Sequence, residues 1–187
     1  MSNRHPALAT RDDAGLVIID VQDAFAPVIP NFDEVTANCG LLAAGFGELG
    51  RPVIVTEQYP KGLGHTEAGL AARLPDGTKV VEKTRFSACG VEGFEDAYDA
   101  ARCNTWVVCG VESHVCVNQT VHDLLARGAS VHVVADAVGS RTEGNRRAGL
   151  EKAAQAGAHV TSAEMVLFEM LGEAGTPEFK AISKLVK

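Results

Sequence analysis

The sequence predicts a three-layer α/β fold: a six-stranded, mainly parallel sheet with helices on both faces. Two observations carry this. Short β-branched apolar runs without alternation recur along the chain, as strands buried on both faces require. Between them lie segments of helical period, so strand and helix alternate throughout, the pattern of a parallel sheet built from right-handed crossovers.

The elements follow in order. LVIIDV (16–21) is the first buried strand. From Asp33 to Leu49, Val35, Cys39, Leu42, Phe46 and Leu49 recur at helical steps, and Gly50 suits the C-terminal cap. PVIVT (52–56) is the second strand; KVVEK (79–83), after a Gly- and Pro-containing stretch, is the third. Phe94, Ala97, Tyr98 and Ala101 mark a helical face, and TWVVCG (105–110) is the fourth strand. Val117, Val121, Leu124 and Leu125 mark the next helix, closed by Gly128, and SVHVVAD (130–136) is the fifth strand. Thr142 caps a helix reaching about Gln155, and AHVTS (158–162) is the sixth strand. Thr161 to Glu164 fits a capping box for a helix ending near Leu171, and a last short helix spans Glu178 to Leu185. The whole reads as one Rossmann-like domain over 1–187, with 1–14 as a short polar lead-in.

Composition narrows the function. The 187 residues suffice for one well-buried domain, and 46% apolar with 22% charged residues is ordinary for a globular protein. A formal net charge of −7 argues against a nucleic-acid footprint and against an anionic membrane surface. No apolar run is long enough to span a bilayer, and MSNRHPALATRDDAG has no apolar signal core, so a cytoplasmic protein is expected. There, five cysteines without regular spacing read as free thiols, and no Cys–His cluster has zinc-ligand spacing.

In such sheets, sites form beyond the carboxyl ends of the strands. Asp20 ends the first strand, Lys83 ends the third, and Cys116 follows the fourth after a short turn. Singly, each has a bland reading: a turn cap, a solvated charge, a small buried hydrophobe. Together, an acid, a cation and a thiol form the set a nucleophilic hydrolase requires. A lysine ammonium and a helix N-terminus both favour the thiolate, while Asp20 can take the thiol proton and return it to a leaving amine.

These segments resemble the isochorismatase-like cysteine hydrolase superfamily, which includes nicotinamidases and N-carbamoylsarcosine amidohydrolase. LVIIDVQDAF is similar to the strand bearing the catalytic acid, VEKTRFSA to the lysine segment, and VVCGVESHVCVNQTVHDLLARG to the nucleophile strand, turn and helix. The resemblance runs from about Gly15 to the C-terminus. It implies Asp20, Lys83 and Cys116 as the triad, a cis peptide at Val111–Glu112, and an oxyanion hole from the backbone N–H groups of Glu112 and Cys116. On that reading the Glu112 side chain is incidental. It further implies a homo-oligomer.

Two departures locate the chain within the superfamily. Nicotinamidases of the family carry an Asp-x-His pair and a further His after the second strand, which bind a metal. TEQYPKGLGHTEAG lacks the pair, leaving only Glu57 and His65 to be imagined as ligands, so no metal and no other cofactor is expected. Isochorismatases proper lack the cysteine, so its presence argues against vinyl-ether hydrolysis. TEQYPKGLGHT and KTRFSACG instead resemble the isochorismatase domain-containing proteins.

The expected function is a metal-independent cysteine hydrolase cleaving a small-molecule amide or related C–N bond through a thioester intermediate. A catalytically silent interaction protein of the same fold and a thiol redox sensor using Cys116 with Cys89 or Cys109 stand as alternatives. Phe25, Gln58, Tyr59 and Phe86 lie just beyond strand ends and are candidate substrate contacts, with loop packing as the bland reading. Cys39 and Cys109 read as core, Cys103 has no evident partner, and Cys89 sits in a glycine-containing loop where exposure is expected. His114 stands two residues from Cys116, and side chains so spaced on a helix do not face each other. His122 and His132 read as a helix-surface and a strand residue, and Asp136 and Arg141 as residues that fix the loop after the fifth strand.

Overall fold

The computed structural model describes residues 4–187. Six strands form one parallel sheet: β1 (Ala14–Ile19), β2 (Val53–Gln58), β3 (Lys79–Lys83), β4 (Thr105–Val111), β5 (Ser130–Gly139) and β6 (His159–Thr161). Their order is β3-β2-β1-β4-β5-β6. The chain therefore steps outward from β1 to β3, then crosses back to lay β4 on the other side of β1. The reversal puts the switch point between β1 and β4, the place beyond the strand ends where sites form in such sheets.

Alternate residues of each strand feed two cores, as the period-two geometry of strands demands. Leu16, Ile18, Val55, Val107 and Cys109 pack under α1 (Phe32–Glu48), α7 (Ala163–Leu171) and α8 (Pro177–Leu185). Val17, Ile19, Ile54, Trp106 and Val108 pack under α4 (Glu92–Ala101) and α5 (Asn118–Ala126). Trp106 stacks on Tyr98 of α4 with ring centroids 5.0 Å apart. On the same side of the sheet, α6 (Glu143–Gln155) contributes Ala153 to that core.

Several boundaries differ from the sequence reading. β1 stops at Ile19, and Asp20 adopts a left-handed conformation, φ 53°, that turns the chain out of the sheet. Asp is among the few non-glycine residues that enter this region. β5 runs on to Gly139, so Asp136 lies within it, where its side chain accepts the Ala163 N–H at 2.9 Å. The cap of α7 is Ser162, not Thr161: the Ser162 hydroxyl accepts the Met165 N–H. Thr142 caps α6 as expected, accepting the Asn145 N–H. A 3₁₀ turn (Asp23–Phe25) and two four-residue helices, α2 (Pro60–Leu63) and α3 (Ala68–Ala71), interrupt stretches read as loop.

The lead-in is docked rather than free. Residues 1–3 of it lie outside the described residues. Arg4 donates to the Glu169 carbonyl at 2.6 Å, Ala9 is fully buried, and Arg11 pairs with Glu178 at 3.0 Å. Among the described residues no helix is long and apolar enough to cross a membrane.

Candidate active site

The switch point brings β1 and β4 into unusually close approach. Ile19 pairs with Gly110, whose φ is 108° and whose hypothetical Cβ would stand 2.0 Å from the Ile19 carbonyl oxygen. Only glycine fits there. The next residues on either side are Asp20 and the Val111–Glu112 peptide, which is cis.

Asp20 is completely buried and both its oxygens are occupied. Thr56, from β2, donates its hydroxyl to Oδ1 at 2.6 Å. Lys83, at the end of β3, donates from Nζ to Oδ2 at 2.7 Å, with neither side chain exposed. Lys83 thus reaches from the edge strand past the end of β2. It is held there by the Gln58 Oε1 at 2.7 Å and by the Arg85 and Phe86 carbonyls at 3.2 and 3.1 Å. A buried ammonium needs these acceptors to offset its lost hydration.

Cys116 completes the group from the other side of the switch point. The segment expected to start a helix is first a π-helical turn, Ser113–Val117, in which the Val117 N–H reaches back to the Glu112 carbonyl; α5 begins only at Asn118. Such turns recur at functional sites. Asp20 and Lys83 are both near enough to act on the thiol by their charge. Burial pushes the thiol up to about 12, the Asp20 carboxylate pushes the same way, and Lys83 opposes them. The ammonium already serves Asp20 at 2.7 Å, and burial outweighs what remains of its pull. Burial and the neighbouring carboxylate thus both favour the protonated form of the Cys116 thiol.

The turn is braced from outside. Glu112 is buried and its Oε2 accepts both the Arg141 N–H at 2.9 Å and the Arg141 Nε at 3.1 Å. Its side chain therefore ties the turn that carries Cys116 to the segment after β5, a structural role the sequence reading did not consider. His114 turns to Ser140, with Nδ1 3.1 Å from Oγ, and Ser140 in turn bonds Ser113 at 2.7 Å. His122 bonds the Asn118 carbonyl one turn back.

The four candidate substrate contacts separate. Gln58 supports the buried Lys83–Asp20 pair, with Oε1 on Lys83 and Nε2 on the Thr84 carbonyl. Phe25 is half-buried and packs on the core beneath α1. Tyr59 and Phe86 are exposed, and Tyr59 lines a cavity of about 490 Å³ with Lys61, Glu82, Lys83, Arg85 and Val91. That cavity flanks β3 and touches neither Asp20 nor Cys116.

Glu57 and His65 pair with each other, Nδ1 to Oε2 at 2.9 Å, while the other Glu57 oxygen takes the Thr66 N–H and hydroxyl. These bonds hold the Glu57 carboxyl below its usual range although burial works against them. Both oxygens are thus engaged by the chain. Cys89, expected to be exposed, is buried, and burial pushes its thiol up to about 11. Cys103, read as unpartnered, receives Arg51 Nη2 at 3.1 Å. Gln22, Thr56, Thr120 and the Ser87–Asp123 pair escaped the sequence reading. Gln22, Thr56, Ser87 and Thr120 are polar and fully or nearly buried, Asp123 is exposed, and each is partnered with a segment distant in sequence.

Comparison with known proteins gives one consistent result. The isochorismatase domain model matches residues 14–165. The chain is 39% identical over 175 residues to the secreted isochorismatase effector Isc1 of Phytophthora sojae (strain P6497), covering 92% of this chain and 83% of that protein. It is 38% identical over 171 residues to isochorismatase domain-containing protein 2 of Xenopus laevis, covering 91% and 82%. The solved structure of MAR1 ribonuclease from Caenorhabditis elegans superposes with a TM-score of 0.91 at 38% identity, covering 96% of this chain and 92% of that one.

Proposed function

The chain belongs to the isochorismatase family, and from that premise we propose that it is a metal-independent cysteine hydrolase cleaving a small amide or related C–N bond through a thioester. The observation that carries the proposal is the buried contact of Lys83 Nζ with Asp20 Oδ2 at 2.7 Å, set against the Cys116 thiol. An acid, a cation and a thiol from three strand ends form one group.

The chemistry follows from the protonation state. Because the thiol rests protonated, proton transfer to Asp20 accompanies attack of Sγ on the amide carbon. The carbonyl π electrons move to oxygen, where the N–H groups of Glu112 and Cys116 receive the developing charge. Collapse expels the amine, which takes the proton from Asp20. Asp20 next accepts a proton from water as the water attacks the thioester, and the carboxylic acid leaves as the thiol is restored. Lys83 stays paired with the Asp20 carboxylate between steps.

Absence of a metal requirement is supported by the missing Asp-x-His pair and by Glu57, whose oxygens are engaged by Thr66 and His65. A homo-oligomer is supported by the exposed Val160, Met165 and Phe168. Cytoplasmic residence, one domain, and a small-molecule rather than nucleic-acid substrate complete the proposal. The raised Cys116 and Cys89 thiols disfavour a redox sensor, since the thiolate is the form that peroxide oxidises.

The test is turnover of an amide panel by wild type and Cys116→Ala, with intact-protein mass spectrometry of quenched wild type. RNA belongs in the panel because the C. elegans neighbour is described as a ribonuclease. Loss of amide turnover in the variant, with an acyl adduct on wild-type Cys116, is expected. Undiminished turnover of any cleaved substrate by Cys116→Ala overturns the proposal, and the absence of an acyl adduct with every amide favours the silent protein.

A further inference from the structure

Thr120 lies on α5, one turn beyond the nucleophile, and is fully buried. Its hydroxyl is used twice. It donates to the Cys116 carbonyl at 2.8 Å, a local bond of the kind threonines often make within helices. It also accepts the Ala88 N–H at 3.0 Å, and that contact joins residues 32 positions apart.

Ala88 stands in the loop between β3 and α4, the same loop whose Arg85 and Phe86 carbonyls hold the Lys83 ammonium at 3.2 and 3.1 Å. One helical turn further along α5, on the same face, Asp123 accepts the Ser87 hydroxyl at 2.6 Å. Ser87 Oγ in turn accepts the Cys89 N–H at 3.2 Å. The lysine loop is therefore fastened to the nucleophile's own helix at two successive points.

We propose that Thr120 is a positioning residue of the hydrolytic site, whose single hydroxyl fixes where the Lys83 ammonium stands relative to the Cys116 thiol. This rests on the cysteine-hydrolase reading above. Asp20 disfavours the thiolate and Lys83 offsets it, and at low effective dielectric that balance changes steeply with distance. If the loop drifts outward, the ammonium follows its carbonyls and the carboxylate acts on the thiol unopposed. The Ser87–Asp123 pair supports the same spacing.

The experiment needs no substrate. Alkylation of Cys116 by iodoacetamide is followed by peptide mass spectrometry across a pH series, with Cys89 on the same loop as internal reference and Tm recorded for every protein. Thr120→Val keeps the volume and removes both bonds; Thr120→Ser keeps both. Thr120→Val is expected to react roughly tenfold more slowly at Cys116, the scale of a small misplacement, with its rise in rate displaced to higher pH. Thr120→Ser restores the profile, and Ser87→Ala falls between. An unchanged Cys116 profile in Thr120→Val overturns the proposal. So does a variant whose Tm falls and whose Cys89 quickens while the Cys116 profile keeps its shape. Should Thr120→Val not fold, Ser87→Ala carries the same two outcomes. Asp20→Asn, assayed on the amide panel, separates the levels: wild-type turnover of any cleaved amide there defeats the proton-acceptor role itself, independently of Thr120.

Discussion

Among the described residues, Asp20 and Lys83 form the only ion pair with both side chains fully buried, and this makes their separate removal costly. Lys83→Met leaves a carboxylate with the Thr56 hydroxyl but no cation, and about 3–5 kcal/mol of stability should be lost. Asp20→Asn in the same chain should return part of it, because two neutral groups need less compensation. Urea unfolding of the single and double variants measures this; equal midpoints for wild type and Lys83→Met would show that the charges are not thermodynamically paired. Thr56→Val removes one donor from a buried carboxylate and should cost about 1–3 kcal/mol in the same assay. At this scale, the sequence showed the groups proposed to react but not their supports. Asp20, Lys83 and Cys116 are legible because rare residue types follow apolar runs. Thr56, Gln58 and Thr120 are common polar residues whose meaning comes from partners 36, 25 and 32 positions away.

Between elements, α6 is packed so tightly on the nucleophile turn that a Cβ at Gly149 would come within 2.5 Å of the Ser113 carbonyl oxygen and 3.0 Å of the His114 nitrogen. Both atoms are backbone, so neither can swing aside. Gly149→Ala should cost about 1–3 kcal/mol by overpacking and slow Cys116 alkylation, because relief comes through movement of the turn. Unchanged alkylation with a normal melting curve would show that α6 yields instead. The strands and long helices were readable here, since β-branched runs and helical spacing are local signals. The π-helical turn was not: VESHVC carries no periodicity, and α6 and the Glu112–Arg141 pair set its path. Nor were α2 and α3, each too short at four residues to display a repeat.

Across the molecule, stability should depend on pH through His132. It is buried beside His159, with ring centroids 5.0 Å apart, and burial lowers its pKa from 6.5 to about 4. The unfolded chain takes up the proton near 6.5 and the folded one only near 4, so this contribution is complete above 6.5 and is lost as pH falls through that window. The loss approaches roughly 3 kcal/mol at the lower end. Urea midpoints of wild type and His132→Phe across the window check this; parallel curves would remove His132 as the cause. The sheet order has a consequence of another kind. β3 is hydrogen-bonded along one side only, through β2, and yet it carries Lys83. Edge strands open at lower free energy than the strands they flank. Competence for chemistry should therefore fail through a partial opening that leaves the rest of the sheet folded. In native-state hydrogen exchange, β3 amides should exchange before those of β1 and β4, and Cys116 reactivity should decay at urea concentrations where the circular dichroism is still native. The enzyme's working limit would then be set by its weakest strand rather than by the stability of its fold.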